Sequence, residues 1–238
     1  MRFPVSTCLE AENLSKSISI DFLKGKVVVF TTASPTRTGV NEDSLGVFEW
    51  SEKNGVLAIA DGVGSLPDGD KASSQVIRVL GEPITRYFDD QVLSRLERIN
   101  LELCQRRLGT TIAAFVFEET CVTGFYAGDS VGMIVDYLGD IKLKMYPHSP
   151  VGKALEGGEL DEKTAANHPL RHVISNMIGT KKMWIDHFGP IDFERGDTII
   201  LATDGLWDNV YESEVVDIVA GGALFRAPSA LESLLRGE

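Results

Sequence analysis

The sequence predicts an α+β fold built on antiparallel sheet. Three observations carry that prediction: apolar runs of strand length recur along the chain, several are joined too tightly for parallel crossovers, and the long helical patterns are grouped together instead of alternating with strands. The strand-length runs lie at Lys26–Thr32, Ser44–Glu49, Val56–Ala60, Thr111–Phe117, Val122–Ala127, Gly132–Asp136, Ile141–Tyr146 and Thr198–Thr203, most of them bounded by Gly, Asp or Asn. Pieces as short as Glu118-Glu119-Thr120 and Leu138-Gly139-Asp140 connect the runs between Thr111 and Tyr146, so that stretch reads as an antiparallel meander.

Two helical patterns precede the meander, near Ala72–Phe88 and Gln91–Leu108. In the first, Val76, Val79, Leu80, Ile84, Tyr87 and Phe88 fall near one side at a period of 3.6, with Pro83 kinking or dividing the helix. In the second, Val92, Leu93, Leu96, Ile99, Leu103 and Leu108 make the matching stripe, while Arg95, Glu97 and Arg98 read as its solvated side. Both are expected to cover a sheet face. From His148 to Gly189 the chain turns to short helical pieces rich in Gly, Pro and Asn, and Ser213–Ala220 and Ser229–Leu235 read as closing helices. Met1–Lys24 carries no motif and is open to three readings: an edge strand, a partner-binding arm or a disordered start. With no repeat, low-complexity tract or long linker, residues 1–238 are expected to form one domain.

Composition narrows the function classes. With 43% hydrophobic and 24% charged residues in 238, the chain has the make-up of a soluble globular protein able to bury a sizeable core. Twenty-three Lys and Arg against 35 Asp and Glu give a formal charge of -12, which repels nucleic acid and anionic membranes. Cys8, Cys104 and Cys121 form no close-spaced pair, fitting neither a disulfide scaffold nor a zinc site and pointing to a reducing compartment. No signal-like start or membrane-length apolar run is present, so a cytoplasmic location is expected.

Two Asp-Gly steps follow strand-like runs directly: Asp61-Gly62 after Val56–Ala60, and Asp204-Gly205 after Thr198–Thr203. Such a step places a carboxylate where a buried strand meets solvent, and glycine lets the backbone bring a carbonyl close, an oxygen-only donor set suited to magnesium, manganese or calcium. Asp-Gly is also a common hairpin turn, and that alternative stays open for each copy taken alone.

Further segments occur in a set order: Asn41-Glu42-Asp43-Ser44, Asp61-Gly62-Val63-Gly64 followed by Ala72-Ser73, Gly109-Thr110-Thr111, Ala127-Gly128-Asp129-Ser130, then His148-Ser149, Gly158-Glu159-Leu160, His168-Pro169, Arg171–Ile174, Gly179 and Asp204-Gly205-Leu206-Trp207-Asp208. Together, over roughly residues 37–219, they resemble the metal-dependent type 2C serine/threonine protein phosphatases, particularly the compact bacterial kind. The resemblance implies two packed antiparallel β-sheets flanked by helix pairs, an α-β-β-α sandwich. It also implies hydrolysis of phosphoserine and phosphothreonine on cytoplasmic proteins by attack of a hydroxide bridging two manganese or magnesium ions.

By the same resemblance, Asp61 bridges both metals, Gly62 supplies its carbonyl, Asp204 is a terminal ligand, and Asp43 holds metal or metal-bound water, with Glu42 a weaker candidate. Asp129 joins Asp204 at an additional, weaker metal site, and Arg37 grips substrate phosphate through its guanidinium. The implied partners are phosphorylated protein substrates of a serine/threonine kinase, with no nucleic acid or membrane, and the expected state is a monomer.

The chain departs from the pattern in three places. One extra residue separates Arg37 from Asp43, Val63 stands where eukaryotic members carry a histidine proposed as general acid, and the last 19 residues contain no aspartate to open the family's terminal strand. Asp208 reads as structural, as do His148, His168, His172 and His187, with His148 the first to test. These departures support an alternative: a phosphatase-like module that recognises a phosphorylated partner or a kinase and catalyses weakly.

Overall fold

A computed structural model describes residues 5–33 and 40–222, together with 227, 230 and 231. Its central layer is a six-stranded antiparallel sheet built from β1 (Ser6–Glu10), β4 (Asp43–Glu49), β5 (Asn54–Asp61), β6 (Ile112–Glu118), β7 (Cys121–Ala127) and β10 (Asp186–Asp192), side by side in that order. A second layer holds a three-stranded sheet in the order β11 (Thr198–Ala202), β8 (Val131–Val135), β9 (Ile141–Lys144), and a hairpin of β2 (Ile18–Phe22) with β3 (Gly25–Val29).

The layers follow from side-chain alternation. On β6, Ile112, Ala114 and Val116 join one apolar cluster with the helices α1 (Gly69–Gly81) and α2 (Phe88–Arg106), while Ala113, Phe115 and Phe117 join another against the second sheet. Because both faces of this strand are covered, it is an unbroken apolar run. On β8, Val131 and Ile134 face the inner cluster, while Met133 and Val135 pack outward with Val215 and Val219 of α6 (Glu212–Val219). The result is helix, sheet, sheet, helix, as the family resemblance implies. Phe115 sits at the centre with no exposed surface, a position where truncation to alanine costs about 3–5 kcal/mol.

Every expected strand is present within a few residues, and three more appear: β1, β2 and β10. Of the three readings of the N-terminal segment, the described part is an edge strand followed by the first strand of a hairpin. Two helix expectations need correction. The first helix ends at Gly81 and does not run through Pro83 to Phe88, because Glu82, which precedes the proline, is extended (φ -60°, ψ 133°). Ile84 and Phe88 are buried all the same, Phe88 as the first residue of α2. Arg95 is not a solvated charge: its guanidinium donates to the carbonyls of Val79 (3.3 Å) and Pro83 (3.0 Å), satisfying groups at and beyond the carboxyl end of α1.

Between β9 and β10 run two short helices, α3 (Pro150–Glu156) and α4 (Glu162–Ala166), capped by Ser149 and Asp161. Of the expected closing helix Ser229–Leu235, only Ala230 and Leu231 belong to the described residues, and both are helical. Among the described residues no helix is long and apolar enough to cross a membrane.

Candidate metal centre

The carboxylates singled out in the sequence stand where strands end. Asp43 opens β4 and Asp61 closes β5, and the antiparallel register pairs them directly. Asp204 is the first residue of a four-residue helix, α5 (Asp204–Trp207), immediately after β11. Thr203, just before it, donates its hydroxyl to Asp43 Oδ2 at 3.3 Å, bringing the end of β11 to the end of β4. Asp129 lies in the turn between β7 and β8, and one of its carboxylate oxygens is buried with no hydrogen-bond partner.

Two hydroxyls bind Asp61 and Asp129 into one unit. Thr111 Oγ1 accepts the Asp61 backbone N–H at 2.9 Å and shares a 2.6 Å hydrogen bond with Ser130 Oγ, beside Asp129. Thr110 Oγ1 donates to the Asp61 carbonyl at 2.7 Å. Gly62 is required by packing as much as by chemistry, since a Cβ there would stand 2.3 Å from the carbonyl carbon of Gly69 at the start of α1. Glu42 takes part through its backbone carbonyl, which accepts the Gly62 N–H (3.0 Å) and the Ser73 hydroxyl (2.7 Å).

Burial and crowding raise the proton affinity of Asp43, Asp61 and Asp129. The four aspartates keep some accessible surface, yet protein surrounds the carboxyl groups of Asp43, Asp61 and Asp129 closely enough for burial to be the largest effect on each. Burial, followed by the charges of Asp43, Asp204 and Asp129, pushes Asp61 up to about 10. Asp43, hydrogen-bonded to Asp61, is held at about 6 by burial and the Asp204 charge. Burial and Asp204 hold Asp129 at about 7. Asp208, the C-cap of α5, is raised by burial and by Asp204, against the pull of His172 and Arg171. His172 Nδ1 lies 3.0 Å and Arg171 Nε 3.9 Å from Asp208 Oδ2.

This donor set fits a hard divalent cation: all ligating atoms are oxygens, mutual repulsion gives a cation something to relieve, and a buried Asp129 oxygen lacks any partner. Among the described residues, no three His, Cys, Asp or Glu side chains close into a cation cage by themselves. Backbone carbonyls and water must therefore complete any shell, as magnesium-like ions ordinarily require. A cleft of about 410 Å³ opens beside Asp129 and Asp204, walled in part by Lys144, Asn167, Arg171 and Tyr211.

Arg37 lies outside the described residues. The remaining histidines serve other ends: His168 Nδ1 accepts the Leu170 N–H at 3.1 Å, and His187 lies against the Phe125 ring. What the sequence reading missed is the role of Thr111, Ser130 and Thr203, which connect aspartates distant in sequence. The adjacent Gly-Thr-Thr and Gly-Asp-Ser motifs were the available signal.

Comparison with known proteins identifies the family from sequence and a shared fold from structure. Residues 35–230 match the family model for protein phosphatase 2C. The serine/threonine phosphatase Stp of Listeria innocua is 28% identical over 197 residues, covering 75% of this chain and 77% of that protein. In fold, the crystal structure of the serine/threonine phosphatase Stp1 from Staphylococcus aureus superposes with a TM-score of 0.75 at 22% identity, covering 87% of each chain. The catalytic domain of the phosphatase PstP, solved in complex with two manganese ions, superposes at 0.64 with 21% identity over 99% of this chain and 94% of that one.

Proposed function

Because this chain belongs to the protein phosphatase 2C family, we propose that it hydrolyses phosphoserine and phosphothreonine in proteins, using two divalent cations, manganese or magnesium. The observation that carries this reading is the convergence of strand-end carboxylates: the directly paired Asp43 and Asp61, with the charge of Asp204 acting on both and that of Asp129 on Asp61. Asp61, the Gly62 carbonyl and Asp204 would hold the ions, Asp43 would stand beside them, and Asp129 with Asp204 would take an additional, weaker ion. When bound, such ions shield the phosphoryl charge and make water a competent nucleophile near neutral pH.

The chain's own residues do the rest. The hydrogen bond between Asp43 and Asp61 holds a proton that must leave before both can act as anionic ligands, so cation binding and proton release are linked. Thr111 and Ser130 fix the spacing of Asp61 and Asp129, and Thr203 orients Asp43. Arg37 is proposed to pair bidentately with substrate phosphate. The reading extends to a monomeric, cytoplasmic enzyme acting on the products of a serine/threonine kinase.

The test is phosphate release from a phosphothreonine peptide with and without manganese. Manganese-dependent release that is lost in Asp61→Asn is expected. Release no greater than the Asp61→Asn background, from protein that binds the same phosphopeptide, would replace this reading by that of a recognition module.

A further inference from the structure

His148 lies at the start of the segment carrying α3 and α4, 20 residues after Gly128, and is 8% exposed. Its ring is packed against Tyr126 (centroids 4.3 Å apart) and Trp184 (5.3 Å). Nδ1 faces two N–H donors, the Gly128 backbone at 3.1 Å and the Asn176 side-chain amide at 2.8 Å. An atom facing two donors must be the unprotonated nitrogen, so the hydrogen sits on Nε2, which lies 3.1 Å from Asp186 Oδ2 on β10. Asn176 is held in this orientation because its oxygen accepts the Trp184 N–H and its amide donates to the Trp184 carbonyl. Burial lowers the ring's proton affinity, consistent with a neutral imidazole.

The backbone of His148 adds to the clasp. Its N–H donates to the Gly128 carbonyl (2.8 Å), and its own carbonyl accepts both the backbone N–H (2.7 Å) and the hydroxyl (2.8 Å) of Ser175. One residue thus fastens the entry and exit of the segment between His148 and Asn176 to Gly128. Gly128 itself has φ +117°, and a Cβ there would meet Thr111 Cβ at 2.7 Å, so the turn is confined by Thr111 on one side and fastened by His148 through its peptide groups. Asp129 follows directly, and the buried oxygen of its carboxylate has no hydrogen bond to hold it. Its aim therefore depends on the backbone of the turn.

We infer that His148 is a positioning residue: by accepting the Gly128 N–H on an unprotonated Nδ1, it sets the direction in which Asp129 presents its carboxylate to a divalent cation. This rests on the proposed role of Asp129 as ligand to the weaker ion, and the experiment separates the two.

Manganese binding to chelator-treated protein is measured by calorimetry or electron paramagnetic resonance on wild type, Asp129→Asn, His148→Phe and His148→Asn. Asp129→Asn is expected to remove the weaker binding event. His148→Phe, which keeps a ring and deletes the acceptor, is expected to weaken that event about 10–100-fold, the range for loss of a group that orients a ligand. In His148→Asn, Oδ1 replaces Nδ1 as acceptor, and the affinity is expected to return to within a few-fold of wild type, with the tighter binding unchanged in both His148 variants.

If Asp129→Asn leaves the weaker event intact, Asp129 is not its ligand and the inference falls with that reading. If Asp129→Asn removes it but His148→Phe does not, or if His148→Asn restores nothing, the positioning role alone is overturned. Should His148→Phe fail to fold, the nearly isosteric Asn176→Asp serves instead. It draws a proton onto Nδ1, takes the acceptor from Gly128, and is expected to weaken the same event. Unchanged affinity there overturns the role. Nitrogen-15 imidazole shifts of the wild-type protein supply an independent check: protonated Nε2 and bare Nδ1 are expected, and a protonated Nδ1 contradicts the inference.

Discussion

The two Asp-Gly steps share a dipeptide and a place at the end of a strand, yet the fold holds them by different means. Asp61-Gly62 is locked between layers: Asp61 pairs with Asp43 across the sheet, and Gly62 is pressed against the backbone of Gly69. Asp204-Gly205 begins a four-residue helix, and a Cβ on the exposed Gly205 would meet nothing nearer than Thr203 Oγ1 at 3.6 Å. In the first step glycine is imposed by packing, while the aspartate is crowded by other carboxylates at a cost to the metal-free fold. In the second, packing places no such demand on the glycine. The lesson is that a motif's second residue can be fixed for a structural reason in one copy and free of it in the other.

Substitutions at the two steps sharpen that contrast. The largest expected effect is at Asp61. Asp61→Asn should lower manganese-dependent phosphate release by more than about 100-fold, a loss at least as large as that for groups supporting a metal ligand. The same change removes a carboxyl crowded by three others and should raise the melting temperature of the metal-free protein, measured by calorimetry. Gly62→Ala comes next. Its Cβ collides with backbone, so it should destabilise by about 1–3 kcal/mol in denaturant titration, at the upper end because backbone yields less than a side chain.

Acidity gives the third effect. Unfolded aspartates titrate near 3.9, whereas Asp43 is held at about 6, Asp129 at about 7 and Asp61 at about 10. Above the unfolded value the folded state binds more protons than the unfolded one, so the stability of chelator-treated protein should fall as pH rises from about 4 towards these values, most steeply between about pH 4 and 6, where all three carboxyls contribute. Excess manganese should flatten that slope and raise the melting temperature at neutral pH. The smallest effect belongs to Gly205→Ala, which should change stability by less than about 1 kcal/mol, in the stabilising direction expected of alanine in a helix.

Much of the fold was legible in the sequence because it is written in local periodicity. β6 and β7 are apolar runs with a three-residue-scale connection, and α1 and α2 carry stripes at the helical period. The missed strands lack that signature. β10 contains Gly189-Pro190 and shifts register between Phe188 and Ile191, and β1 and β2 mix Ser, Thr, Asp and Glu with short apolar stretches at sheet margins. At the site, Asp61 and Asp204 were legible because each ends an apolar run. The supporting groups were not: Thr111 lies 50 residues from Asp61 and 19 from Ser130, and only the β5–β6 pairing and the β7–β8 turn bring them together. Likewise Arg95 looked like a surface charge because nothing local reveals that it reaches the carbonyls that follow α1.

The most direct measurement is a manganese titration of chelator-treated wild-type, Asp61→Asn and Asp204→Asn proteins, followed by calorimetry. Two tight ions in the wild type and their loss in both variants are predicted, with the folded state of each variant retained. Unchanged manganese binding in Asp61→Asn and Asp204→Asn would contradict the assignment of these strand-end aspartates as a metal centre.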